Sequence, residues 1–276
     1  MKKIFLIPNA ITAFGLTCGL FVIFKTSIAD PARDLFSLLQ ASAILLLIAA
    51  LADVADGAVA RLIKAESEFG VYFDSLSDAV NFGVAPPLLI LKSLSGSEEF
   101  LSPVIIFFVI VASMIYTLCG VLRLVRYNLQ KHKEDEGRKT RGGHFTGFPI
   151  PAAASCALSA GLISISPWAR ESLALSLQAR ALLLTALLVI LGYFMISRWK
   201  FPSIKALHFR VPSIYLIFAT GILAVVVLYG ILDYFAEIYF TVSWLYLIIS
   251  WLLSLTRLIM GKRAKTLDDF EPDEEE

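Results

Sequence analysis

The chain has 276 residues, 58% of them hydrophobic and 17% charged, with a mean hydropathy of +0.76. A soluble domain of this length needs a polar exterior that such a composition cannot supply, so an ordinary cytosolic enzyme is excluded and an all-α integral membrane protein is expected. The formal net charge of +1 suggests no nucleic-acid partner.

A helix needs about 20 apolar residues to cross a bilayer. Runs near that length predict eight transmembrane helices: Ile4 to Phe24, Leu35 to Ala52, Val71 to Leu91, Phe100 to Leu122, Phe145 to Ala169, Ala181 to Ser197, Val211 to Leu232 and Ile238 to Thr256. The third differs from the rest in carrying Asp74 and Asp78 in its first half, where charge is costly unless it faces a protein-lined or wet interior. With the N-terminus inside, only Lys25, Arg33, Lys92, Arg170 and Arg180 of the 24 Lys and Arg fall on the outer side, in keeping with the positive-inside rule. A rival reading takes Met1 to Ala29 as a cleaved signal peptide, but its apolar run is long for one and contains Pro8, Asn9 and Thr12. Residues 1–260 are read as one transmembrane domain and 261–276 as a cytoplasmic acidic tail, solvated and without chemistry of its own.

Cys18, Cys119 and Cys156 are far apart within apolar runs, and His132, His144 and His208 share no ligand spacing, so neither a disulfide framework nor a thiolate or imidazole metal site is suggested. The acids are more informative. Asp53 and Asp56 lie three apart at the inner end of the second predicted span, and Asp74 and Asp78 lie four apart at the inner start of the third. On helices each pair shares a face, so two antiparallel helices joined by a short inner turn bring four carboxylates together near the cytoplasmic surface.

Four carboxylates at that depth repel one another unless a cation is bound. An all-oxygen set favours Mg²⁺ or Mn²⁺, and two such ions commonly clamp a phosphoryl group. Gly57 and Gly70 let a bulky ligand approach the helix backbone, and Arg61 suits a phosphate or a carboxylate. Alternatives are structural ion pairs with Arg61, Arg123 or Arg126, a metal or ion transporter, and an aspartate-rich prenyltransferase. Transporters usually place their carboxylates near the midplane, whereas these sit at helix ends.

The segment resembles, without a gap, the signature of the CDP-alcohol phosphotransferase family, D-x2-D-G-x2-A-R-x8-G-x3-D-x3-D, at Asp53, Asp56, Gly57, Ala60, Arg61, Gly70, Asp74 and Asp78. The resemblance implies that family's fold, with Asp53, Asp56, Asp74 and Asp78 as ligands to two Mg²⁺ or Mn²⁺ ions and Asp78 also as general base. It further implies contacts of Gly57, Arg61, Ser67 and Gly70 with CDP-diacylglycerol. Pro8-Asn9-Ala10-Ile11-Thr12 is similar to a PN-x-x-T element, which adds Asn9 and Thr12 to that set.

Further stretches resemble the phosphatidylserine synthase branch: Asp74-Ser75-Leu76-Ser77-Asp78 with Phe82 to Pro86, Leu122 to Asn128, Phe145 to Pro151, and Ser197 to Lys205. The expectation is transfer of a phosphatidyl group from CDP-diacylglycerol to L-serine, with another acceptor, such as glycerol 3-phosphate or an inositol phosphate, as the alternative. Arg123, Arg126 and Lys205 are candidates to bind serine or phosphate, although Arg123 and Arg126 could equally be snorkelling cations at an inner helix end. The resemblance also implies a homodimer, and a bacterial inner membrane with the active site on the cytoplasmic side is expected.

Overall fold

The computed structural model describes residues 6–30, 34–63, 67–95, 101–135, 147–173, 175–197 and 234–259, the side chains of 130–135 and 256–259 excepted. Every regular element among them is helical: α1 (Leu6–Ile28), α2 (Leu35–Leu62), α3 (Glu68–Asp78), a π-helical segment (Ala79–Val84), α4 (Ala85–Leu94), α5 (Pro103–Asp135), α6 (Ile150–Ser164), α7 (Pro167–Ser172), α8 (Leu177–Ile196) and α9 (Phe235–Ile259). Of these, α1, α2, α5, α8 and α9 each contain a stretch long and apolar enough to cross a membrane. The seventh expected span, Lys205 and the acidic tail lie outside the described residues.

Several boundaries differ from the sequence reading, each for a local reason. The second span does not end at Ala52. Its buried positions Ala49, Ala52 and Asp56 continue at helical spacing, so α2 runs on to Leu62 and carries Asp53 and Asp56 within it. Helix α5 likewise continues past Leu122 to Asp135, so Arg123 and Arg126 sit inside a helix and not at its end. The fifth span is shorter than expected. Proline at its first turn starts α6 at Ile150, and Pro167 opens the separate α7. The third span is composite, with the π segment between α3 and α4.

Among the described residues α1 packs along α2 and α5 along α8 in the two most extensive helix pairings, and α1 also touches α3 and the π segment. Short α6 lies at the centre, with ten of its residues buried, most of them Ala, Ser, Gly or Cys, whose small side chains permit close approach of neighbours. One apolar cluster joins the third span to α5, α6 and α8 through Phe82, Ile90, Tyr116, Phe148, Leu188 and Met195. A second joins α1, α2, α4, α6 and α9 through Val22, Leu46, Leu89, Leu162 and Phe235.

Polar groups hold the two ends of the bundle. At one, Lys92 donates to the carbonyl of Ala29 just beyond α1, and Arg180 donates to the carbonyls of Ser164 and Ser93 near the ends of α6 and α4. Cations at helix C-termini satisfy orphan carbonyls and complement the dipole. At the same end Asp34 caps α2, and hydrogen bonds from the hydroxyl and backbone N–H of Ser37 hold its carboxyl below the usual carboxylate range. The aspartates lie toward the opposite end of α2 and of the third span taken as a whole.

Candidate active site

Two helices deliver the acids. Asp53 and Asp56 share one face of α2. Asp74 and Asp78 share one face of α3, which Ser67 starts as N-cap by accepting from the Gly70 N–H at 3.1 Å. One carboxylate oxygen from each of Asp53, Asp56 and Asp74 falls within 4.8 Å of the others, a spacing that could hold a metal ion. Asp78 stands beside this group, its side chain within hydrogen-bonding reach of Asp53. The donor set fits a hard divalent cation: it is all oxygen, and among the described residues no His or Cys joins it.

Helix α1 closes one side. The Thr12 hydroxyl donates to the Asp56 carboxylate and approaches the Pro8 carbonyl at 3.1 Å. Asp56 is only 4% exposed, so this partner on another helix matters to a group that water scarcely reaches. Asn9 lies beside α3: a Cβ added at Gly70 would come within 3.2 Å of the Asn9 Oδ1 and 3.1 Å of the Ser67 Oγ. The α3 backbone here admits a close neighbour because Gly70 has no side chain. On α2, the Arg61 guanidinium lies over Gly57, 3.7 Å from where a Cβ would stand. Thus Asn9, Thr12, Gly57, Arg61, Ser67 and Gly70 all lie on the elements that carry the acids, or touch them.

Helix α5 closes the other side, and here the two arginines part. Half-buried Arg123 interacts electrostatically with Asp78 and with Arg126, Tyr127 and Tyr246, and its Nε has no hydrogen-bond partner among the described residues. Arg126 instead donates to the carbonyl of Ile196, the last residue of α8, at 3.0 Å. It also borders Gly147, which has φ +93° and where any Cβ would meet the Met195 carbonyl. Arg126 therefore caps a helix, whereas Arg123 is coupled electrostatically to Asp78.

Three further polar links were not assigned from sequence. The Asn128 amide donates to the Ser75 hydroxyl at 2.8 Å, clipping α5 to α3 between the two aspartates of that helix. Buried Asn81 in the π segment donates to the Gly15 carbonyl and the Ser77 hydroxyl, each at 3.2 Å. On α5, Tyr116 and Thr117 donate to the π-segment carbonyls of Phe82 and Gly83. Pro86 and Pro87 were the available signal for the last pair, since two missing N–H groups leave carbonyls one turn earlier in need of donors.

The family model for CDP-alcohol phosphatidyltransferase matches residues 5–192, a range that contains the four aspartates, Asn9, Thr12, Gly57, Arg61, Ser67, Gly70, Arg123 and Arg126. Among curated proteins, the chain is similar to CDP-diacylglycerol–serine O-phosphatidyltransferase of Mycobacterium tuberculosis strain H37Rv, with 37% identity over 151 residues, which are 54% of this chain and 46% of that protein. It thus spans about half the length of those mycobacterial relatives. The proteins of the same name from Helicobacter pylori strain 26695 and Bacillus subtilis align more fully. The first shows 29% identity over 95% of this chain and 98% of the relative, and the second 28% over 72% and 91%.

Proposed function

Since the chain belongs to the CDP-alcohol phosphatidyltransferase family, we propose that it transfers the phosphatidyl group of CDP-diacylglycerol to L-serine, giving phosphatidylserine and CMP. The observation that carries this reading is the convergence of Asp53, Asp56 and Asp74 within 4.8 Å, with Asp78 beside them. The names of the relatives support serine as the acceptor.

In this mechanism Asp53, Asp56, Asp74 and Asp78 would hold two Mg²⁺ or Mn²⁺ ions, which would supply the positive charge that offsets the diphosphate and the charge developing on the leaving CMP. Asp78 accepts the proton of the serine hydroxyl as that oxygen bonds to the phosphorus bearing diacylglycerol, and the bond from this phosphorus to the CMP oxygen breaks. Asn9, Thr12, Gly57, Arg61, Ser67 and Gly70 receive the CDP portion, while the acyl chains stay in lipid. Arg123, facing Asp78 from α5, attracts the serine carboxylate. The site lies at the cytoplasmic face of a bacterial inner membrane, and the protein works as a homodimer.

The test is CMP release by the purified chain in detergent with CDP-diacylglycerol and Mn²⁺ or Mg²⁺, comparing serine, glycerol 3-phosphate and inositol phosphate. Serine-dependent release that a chelator abolishes is the expected result. Release with another acceptor would overturn the serine assignment and leave the aspartate roles standing. Flux through sealed liposomes with no CMP release would replace the enzyme with a transporter.

A further inference from the structure

The third span is interrupted immediately after Asp78. From Ala79 to Val84 the helix is π-wound, and the Ala85 N–H reaches back to the Val80 carbonyl. A single extra residue in a helix rotates everything beyond it by about 100° relative to what precedes it. Here the rotation separates two demands on one helix. The acids of α3 face α2 and α5, while α4 presents Ile90 and Leu94 to the α5, α6 and α8 cluster and Leu89 to the α1 and α2 cluster. Unwinding the π turn would force one set of contacts to give way.

The π turn has an unusual backbone. The Phe82 carbonyl would ordinarily accept from the residue four later or, in π geometry, five later. These are Pro86 and Pro87, and neither has an N–H. The carbonyl is buried, so its partner must come from another helix. That partner is the Tyr116 hydroxyl, at 3.1 Å. Thr117 serves the Gly83 carbonyl similarly at 2.9 Å. Tyr116 is fully buried, with Gly192 of α8 against its backbone, so its ring has no freedom to place the hydroxyl elsewhere. Two turns further along α5 lies Arg123, which is coupled electrostatically to Asp78.

We propose that Tyr116 is a positioning residue for Asp78: by holding the orphaned Phe82 carbonyl it maintains the π turn, and the π turn aims the acidic face of α3 at Asp53 and Arg123. This rests on the assignment of Asp78 as the base. The side chain touches no substrate, and its effect is carried by the backbone of residues 79–84.

Tyr116→Phe removes one oxygen and keeps the ring. In the full-length protein, assayed with the acceptor that gives the fastest CMP release, kcat falls on the order of tenfold while KM for CDP-diacylglycerol stays within about twofold. A second variant, Tyr116→Phe with Pro86→Ala, returns an N–H to the ladder. It restores the unfolding temperature but leaves kcat low, because the backbone is satisfied without the tyrosine's hold on the π turn. A kcat of Tyr116→Phe within about twofold of the parent would overturn the proposal. So would recovery of kcat together with stability in the double variant, since the hydroxyl would then do no more than satisfy a carbonyl. If Tyr116→Phe alone does not fold, the double variant decides by the same criterion. Asp78→Asn run alongside separates the two ideas: retained turnover there removes the base itself, whereas retained turnover in Tyr116→Phe alone removes only the positioning role.

Discussion

The hydroxyl of Thr12 donates to the carboxylate of Asp56, 44 residues away in the chain, and so ties the first helix to the acidic cluster. Asp56 is nearly inaccessible to water, so this bond gives its carboxylate an orienting partner from another helix. Groups that orient metal-binding carboxylates typically change metal affinity when removed. Thr12→Val should therefore raise the Mn²⁺ concentration needed for half-maximal CMP release by about 10-fold or more, and Thr12→Ser should restore it. An unchanged metal dependence in Thr12→Val would show that Asp56 is oriented without α1.

Asp78 stands outside the close trio and within reach of Asp53. If it takes the acceptor proton, Asp78→Asn should lower turnover by about 10² to 10⁴, while binding of CDP-diacylglycerol, followed by equilibrium dialysis in the presence of metal, persists. Loss of binding together with turnover would instead make Asp78 chiefly a metal ligand.

The two arginines of α5 should respond differently to the same change. Arg123→Gln, which removes the cation facing Asp78, should raise the serine KM with little effect on the unfolding temperature. Arg126→Gln, which loses the bond to the Ile196 carbonyl, should lower stability by about 1–2 kcal/mol and leave the serine KM near that of the parent. Kinetics and thermal unfolding of both variants in one detergent would check this, and a serine KM effect confined to Arg126→Gln would exchange their roles.

Packing between α1 and the π segment offers a test away from the acids. Any Cβ at Gly19 would overlap the Asn81 side chain, which is itself held by Gly15 and Ser77. Gly19→Ala should thus destabilise by about 1–3 kcal/mol through overpacking. Gly161→Ala, whose new methyl would meet Ile90 at an ordinary 3.4 Å, is the matched control. Equal unfolding temperatures for the two would show that Asn81 can move aside.

Much of the site was legible because its chemistry is written in short spacings. The intervals from Asp53 to Asp56 and from Asp74 to Asp78 place both pairs on helical faces in any α-helix, and the structure brings three of these residues to within 4.8 Å. The helix ends were less legible. Runs of apolar residues mark where lipid or core is needed, but α2 is prolonged beyond its run by Ala55, Ala58, Ala60 and Arg61 despite Asp53, Asp56 and Gly57, and α5 by its Arg, Leu, Gln and Lys residues, and hydropathy has no signal for helix propensity of that kind. Arg123 and Arg126 were indistinguishable in sequence, since two cations three positions apart on one helix differ only in which neighbours the fold puts beside them.

By itself the sequence determined the membrane setting, the helical class and the clustering of the acids, because these follow from composition and from periodicity within a few turns. Only the tertiary structure decided that α1 completes the acidic site through Thr12, that Arg126 caps α8, and that the third span is π-wound beyond Asp78. Each of those depends on contacts between residues tens of positions apart, where a hydrogen bond from one helix meets a need created in another, and no local pattern encodes which partner will be in reach.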